Sequence, residues 1–116
     1  MNRYILAEAG IQVKEGIERF SGNRMLYQKY LYQFPEENYN EKLRKAIEKA
    51  SPEAFEIAHI LKGVSGNLSL NRLFEAIVPV VEALRGEPDF EKARELLQEA
   101  ERVYEQTVQA IREVQD

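Results

Sequence analysis

His59 is the only histidine of the chain, and four further residues with useful chemistry lie at helical spacings from it. Phe55 precedes it by one turn, Lys62 and Gly63 follow at i+3 and i+4, and Gly66 follows at i+7. Residues at these spacings share one face of a helix, so these five residues are predicted to form one stripe, here called the histidine stripe. A neutral imidazole is available as a nucleophile near pH 7. A lysine one turn along could hold an anion beside it.

The two glycines of the histidine stripe, Gly63 and Gly66, are unusual inside a helix. Each costs about 0.5–1 kcal/mol relative to alanine. Neither adds to the core, because the apolar residues gather on the other side of the predicted helix, at Ala54, Ile57, Ala58, Leu61, Val64, Ser65 and Leu68. We therefore expect His59 to point outward, with bare backbone beside it that lets a large partner approach.

The same stretch resembles the signature of histidine phosphotransfer (HPt) domains. That signature reads Ala-His-x-Leu-Lys-Gly, followed by small residues, an Asn or similar residue, and an aliphatic one. The corresponding segment here is Ala58-His59-Ile60-Leu61-Lys62-Gly63-Val64-Ser65-Gly66-Asn67-Leu68. The similarity continues into the flanking segments and covers about residues 10–110.

This resemblance implies a phosphocarrier that relays a phosphoryl group between receiver-domain aspartates in a two-component phosphorelay. His59 would be the phosphorylated nucleophile, and Lys62 would stabilise the phosphoryl oxygens. Gly63, Gly66 and Phe55 would provide steric access and receiver docking. The resemblance implies no cofactor on this chain, with magnesium carried by the receiver. The implied partners are response-regulator receiver domains and a hybrid histidine kinase, and the chain would have no kinase activity of its own.

Three positions bear on how closely the chain follows that pattern. Ser69 stands where many members have glycine, with little expected effect. Val81 stands where a Glu or Gln of the next helix often reaches toward the histidine ring. Glu82 comes one residue later, and a bend at Pro79 could rotate it into that place.

Other readings of the histidine remain. The chain could be a helical docking module that binds a receiver or kinase without phosphotransfer. The spacing of Glu56 and His59 matches the Glu-x-x-His of carboxylate-bridged metal sites, which need two such motifs facing inward. His59 could also be an ordinary surface histidine. The sequence contains no phosphate-binding loop for ATP, which argues against a kinase.

Composition narrows the class of protein further. The 116 residues suit one domain, residues 1–116. The absence of cysteine excludes a disulfide scaffold, a Cys/His zinc site and a cysteine nucleophile. Basic residues are scattered in a chain of net charge −4, which argues against nucleic-acid binding. The absence of a long apolar run or an evident signal peptide argues against a membrane protein and favours the cytoplasm. We expect a free-standing monomer.

Helical spacing of apolar residues predicts an all-α fold. Ser51 and Pro52 are expected to start the helix of His59, which runs to about Leu68, and Pro79 is expected to bend the next helix. The other expected helices cover about Ile11–Phe20, a segment from Met25 to Phe34, Pro35–Ala50, a segment from Asn71, and Phe90–Val114. Short links favour an antiparallel up-and-down four-helix bundle with additional N-terminal helices.

Overall fold

Residues 1–115 are described by a computed structural model, and within them the chain is helical without a β-strand. The one extended pairing in this range is an isolated antiparallel bridge between Ile11 and Leu70. The prediction of an all-α protein is therefore confirmed. The elements are α1 (Arg3–Glu8), α2 (Val13–Arg19), α3 (Arg24–Gln33), a 3-10 helix (Phe34–Glu37), α4 (Tyr39–Glu48), α5 (Ala54–Asn67), α6 (Asn71–Leu84) and α7 (Phe90–Val114).

The four longer C-terminal helices enclose most of the core. α6 contacts both α5 and α7, and α4 also contacts both α5 and α7, so each of the four touches two others. α1 and α3 pack against α7. The shared interior consists of apolar side chains that are at most 1% exposed, among them Leu43, Ile47, Leu61, Leu73, Ile77, Leu84 and Ile111.

The segment predicted as one helix over Pro35–Ala50 is divided, and that prediction was wrong. A 3-10 helix ends at Glu37, and α4 begins at Tyr39. Between them Asn38 has φ +55°, in the left-handed region. A right-handed helix cannot continue through such a residue, and asparagine is among the few non-glycine residues that adopt it readily.

Helix α5 begins later than predicted, at Ala54 instead of Pro52. Ser51 is not the N-cap residue, which is Glu53, but its Oγ accepts a hydrogen bond from the Glu53 N–H at 3.1 Å just before the helix. The helix α7 has the predicted bounds, and the Asp89 side chain caps it by accepting from the Lys92 N–H at 3.0 Å. α6 continues through Pro79 as one helix.

The C-terminal end of α5 is tied to the N-terminal part of the chain. The Gln12 N–H donates to the Ser69 carbonyl at 3.0 Å. The hydroxyl of Tyr27, a fully buried residue of α3, donates to the Leu68 carbonyl at 2.8 Å. Helix α1, which the sequence analysis did not identify, also reaches this region, because Ile11 just after it forms the bridge to Leu70.

No helix within residues 1–115 has the length and apolarity that a membrane span requires.

Candidate functional site

Helix α5 places His59 at the surface, because the opposite side of the helix is packed in the core. Ala54 and Ala58 are fully buried, and Leu61 and Ser65 follow on the same side at no more than 1% exposure. His59 is exposed, so its imidazole is accessible to solvent. Packing of the opposite helix face thus directs the His59 side chain toward solvent.

The two glycines of the histidine stripe differ in their surroundings. A Cβ atom built on Gly63 would meet nothing within 4 Å. A Cβ atom on Gly66 would lie 3.9 Å from the ring of Phe74 on α6, an ordinary contact. The surface beside His59 is therefore open at Gly63 and bordered by an aromatic ring at Gly66.

Lys62 supplies the positive charge of the histidine stripe. Its side chain is half-buried, and its Nζ lies 6.0 Å from the centroid of the Phe74 ring, within the range of a cation–π contact. Among the described residues no carboxylate forms an ion pair with this ammonium. The charge is held on the α6 side of the stripe and remains available to an incoming anion.

Phe55 is the N-terminal residue of the histidine stripe, and its ring stacks on the imidazole of His59. The two ring centroids are 5.7 Å apart, with an interplanar angle of 26°. The guanidinium carbon of Arg85 lies 5.2 Å from the Phe55 ring centroid. Arg85 also donates to both carboxylate oxygens of Glu82, each at 3.3 Å. An arginine at the end of α6, which the sequence analysis did not identify, therefore lies beside the histidine stripe.

Neither Val81 nor Glu82 of α6 provides a hydrogen-bond acceptor for the histidine ring. Val81 is fully buried in the core. Glu82 is exposed and engaged with Arg85. Within the described part of the chain the imidazole of His59 makes no hydrogen bond, and the residue is exposed.

The Glu-x-x-His spacing of Glu56 and His59 has no further ligands around it. In residues 1–115 no group of three or more His, Cys, Asp or Glu side chains lies close enough together to hold a metal ion. Both residues are exposed on the outer side of α5. The facing pair of motifs that a carboxylate-bridged site requires is not formed by these residues.

An aromatic groove of about 380 Å³ lies beside the same helix. Four aromatic rings line it, contributed by residues before and within α3, the 3-10 helix and the start of α4: Phe20, Tyr30, Phe34 and Tyr39. Val64 and Asn67 line it from α5. Ile60, one turn before Val64, is 44% exposed. Apolar surface therefore extends from the groove toward the turn of α5 that carries His59.

Comparison of the chain with models of protein families, with curated proteins and with solved structures found no significant match. The chemistry of the site is therefore inferred from its own residues. They combine an exposed imidazole, an ammonium without an ion-pair partner one turn away, and open space at Gly63, one turn after the imidazole. Such a set can accept a transferable electrophilic group from a bulky donor and neutralise an anion formed on the ring.

Proposed function

We propose that this protein is a histidine phosphocarrier that relays a phosphoryl group between receiver-domain aspartates. The observation that carries the proposal is the exposure of His59 beside Gly63, where a Cβ atom would meet nothing within 4 Å. Gly63 and Gly66 each weaken the helix, and this cost has no evident purpose unless a partner must approach His59. The resemblance of residues 58–68 to the HPt signature supports the same conclusion.

The transfer step requires only one nucleophile from this chain. The lone pair of Nε2 of His59 attacks the phosphorus of a receiver's aspartyl phosphate. A P–N bond forms, the P–O bond to the aspartate breaks, and its electron pair leaves with the carboxylate. Lys62 balances the charge of the phosphoryl oxygens, and the receiver supplies magnesium. Positioning and electrostatics carry most of the catalysis in such a step.

The proposed architecture for this role is an antiparallel up-and-down four-helix bundle of α4 to α7, with α1 to α3 added at the N-terminal side. The closed set of contacts among these four helices supports it. We further propose that the receiver docks over Ile60 and the aromatic groove, and that the protein acts as a cytoplasmic monomer without kinase activity of its own. A hybrid histidine kinase is the proposed upstream partner.

A docking module that binds a receiver without accepting phosphate is the second candidate. The observation that favours it is the environment of the ring. Val81 is buried and Glu82 is engaged with Arg85, so no acceptor from α6 orients the imidazole of His59. A carrier needs another means of holding the ring, whereas a docking module needs none.

Incubation with a phosphorylated receiver domain, followed by mass spectrometry under alkaline conditions that preserve phosphohistidine, separates these candidates. A carrier gains one acid-labile phosphoryl group on His59. The variant His59→Ala should lose the label and keep its fold, with a change in unfolding free energy within about 1 kcal/mol, because the side chain is exposed. The matched control Glu56→Gln, on the same exposed side of α5, should label normally.

Absence of label on the folded wild-type protein, with receivers that bind it, would establish the docking module instead. Loss of the label in Glu56→Gln would show that Glu56 takes part in the transfer to His59, which the proposal does not include. Unfolding of His59→Ala would contradict the exposed position of the ring.

A further inference from the structure

The ring of His59 has one close aromatic neighbour, and that neighbour is itself held. Phe55 lies one helical turn earlier, with its ring centroid 5.7 Å from that of His59 at an interplanar angle of 26°. This is the offset-stacked geometry that aromatic pairs prefer. Phe55 also packs against the buried core, so its own ring has restricted freedom. Arg85 lies over the same ring at 5.2 Å.

We propose that Phe55 is a positioning residue for His59, and that Arg85, anchored by Glu82, holds Phe55 in place for this task. The proposal rests on the phosphocarrier function and names the device that orients its nucleophile. It changes the role that the sequence suggested for Phe55, from a docking contact to a support for the imidazole plane.

Stacking can orient the His59 ring in place of a hydrogen bond, because it restrains the χ2 torsion of the histidine. The χ2 torsion of histidine is broad, so an exposed imidazole without an acceptor rotates freely about it. A flat ring packed against one face of the imidazole favours one plane and leaves both nitrogens at the edge unobstructed. A hydrogen bond from α6 would instead occupy one nitrogen, and none is formed here within the described residues.

Arg85 is suited to hold Phe55 because two features restrain it: its backbone position at the end of α6 and its contact with Glu82. It is the residue at which α6 ends, with an extended backbone at φ −73° and ψ 138°. Its guanidinium donates to both carboxylate oxygens of Glu82, at 3.3 Å each. A planar guanidinium in such a two-point contact is restrained in orientation and stacks well on an aromatic face. Helix α6 thus acts on the histidine indirectly, through Phe55.

Phe55 is also poorly placed to dock a receiver. Its ring is half-buried, His59 stacks on it, and the Arg85 cation lies over it. Ile60 is 44% exposed and borders the aromatic groove side of α5, so it offers the better apolar contact. The two residues therefore make opposite predictions in a transfer assay.

The first experiment tests the stack in the free protein, without any phosphotransfer. Proton NMR of the His59 ring is recorded well above the ordinary histidine pKa, so that only the neutral imidazole is compared. In Phe55→Leu the ring-proton shifts should move toward those of an unstacked histidine. In Arg85→Met and Glu82→Gln they should move in the same direction by a smaller amount.

The matched control for this experiment is Lys62→Met, which removes a cation one turn from His59 on the side of Phe74. It should leave the His59 ring shifts near their wild-type values. Shifts that stay unchanged in Arg85→Met would overturn the part assigned to Arg85. Shifts that stay unchanged in Phe55→Leu would overturn the stack.

The second experiment measures single-turnover transfer from a phosphorylated receiver at increasing receiver concentration. Phe55→Leu should lower the maximal rate about two- to tenfold, the factor that the interaction energy of an aromatic pair represents, and leave the half-saturating concentration unchanged. Arg85→Met should lower the maximal rate less, with Phe55 still present. Ile60→Ala should raise the half-saturating concentration with little effect on the maximal rate.

A raised half-saturating concentration in Phe55→Leu, with a normal maximal rate, would return Phe55 to a docking role. An unchanged rate in Phe55→Leu, with the wild type labelled normally, would overturn the positioning role alone. Failure of the wild type to accept phosphate would overturn the phosphocarrier function, while the NMR shifts still decide whether the stack exists.

Discussion

Under the proposed function, Gly63 is the residue at which partner access and helix stability oppose each other. Its backbone does not have a positive φ, and a Cβ atom there would meet nothing within 4 Å. Alanine would therefore fit the helix without strain and would remove the conformational freedom that glycine gives the unfolded chain. Glycine therefore lowers stability at this position, and under the proposed function its benefit is the approach of a receiver to His59.

Substitution of Gly63 tests this trade-off directly. Gly63→Ala should raise the free energy of unfolding by about 0.5–1 kcal/mol, measured by urea denaturation. Gly63→Leu should also fold at least as stably as the wild type, because leucine is a good helix former and the space is open. The rate of phosphoryl transfer to Gly63→Leu should nevertheless fall by at least about tenfold, because the receiver's reactive atoms are displaced. Transfer at the wild-type rate in Gly63→Leu would refute the role of Gly63 in access.

At the scale of the element, α5 depends on an unusual residue where it ends. The Leu70 N–H donates to the Ser65 carbonyl at 2.9 Å, and the Ser69 N–H donates to the Gly66 carbonyl at 3.2 Å. This is the Schellman arrangement, whose left-handed position is usually glycine. Here it is Ser69, at φ +55°. Its buried Oγ has no hydrogen-bond partner in the part of the chain that the structure describes.

Replacement of Ser69 by glycine should therefore stabilise the protein. Ser69→Gly relieves the left-handed backbone of its Cβ atom and removes an unpaired hydroxyl, for an expected gain of about 1 kcal/mol in unfolding free energy. Ser69→Ala is the control, since it removes the hydroxyl and keeps the Cβ atom, and it should gain less. Urea midpoints of the three proteins give the comparison. A Ser69→Gly protein less stable than Ser69→Ala would show that the backbone strain is not the larger contribution.

In the whole molecule, one buried tyrosine connects an N-terminal helix to the end of α5. Tyr27 of α3 is fully buried and donates to the Leu68 carbonyl at the end of α5. Burial raises the pKa of the Tyr27 phenol well above its ordinary value, more than the nearby Arg3 lowers it. Burial is also the main cause that raises the pKa values of Tyr39 and Tyr104. The folded state therefore keeps phenolic protons that the unfolded chain loses above about pH 10.

The sign of the resulting pH dependence follows from proton linkage. Above about pH 10 the unfolded chain binds fewer protons than the folded one, so stability falls as pH rises. Below the ordinary tyrosine pKa the full stability is present. We expect the unfolding free energy to be nearly constant from pH 8 to about pH 9 with respect to these groups, and to decrease beyond about pH 10, in urea titrations across this range.

Tyr27→Phe isolates one contribution to that alkaline loss. It should cost about 1 kcal/mol at pH 7, because the Leu68 carbonyl loses its donor, and it should make the decline above pH 10 less steep. Tyr4→Phe is the matched control, since Tyr4 is 86% exposed and should change neither quantity. An equally steep alkaline decline in Tyr27→Phe would mean that this phenol stays protonated to no higher pH than an ordinary one.

The features that depend on short separations along the chain could be predicted from the sequence. The spacing of apolar residues predicted α6 and α7 closely, and it predicted which side of α5 is buried, because helix geometry relates residues three and four apart. The neighbourhood of Phe55, His59, Lys62 and Gly63 follows from the same rule. The hydrogen bond that Ser51 accepts just before α5 also reflects local chemistry, although the N-cap residue and the first residue of α5 differ from the prediction.

The features that join distant segments depend on how the helices pack and could not be predicted from the sequence. The break at Asn38, the added helix α1 and the aromatic groove arise where several elements pack together. The contact of Arg85 with Phe55 exists because α6 ends beside the first turn of α5. No local pattern encodes such a contact, since its energy comes from packing between helices whose relative placement depends on the whole core.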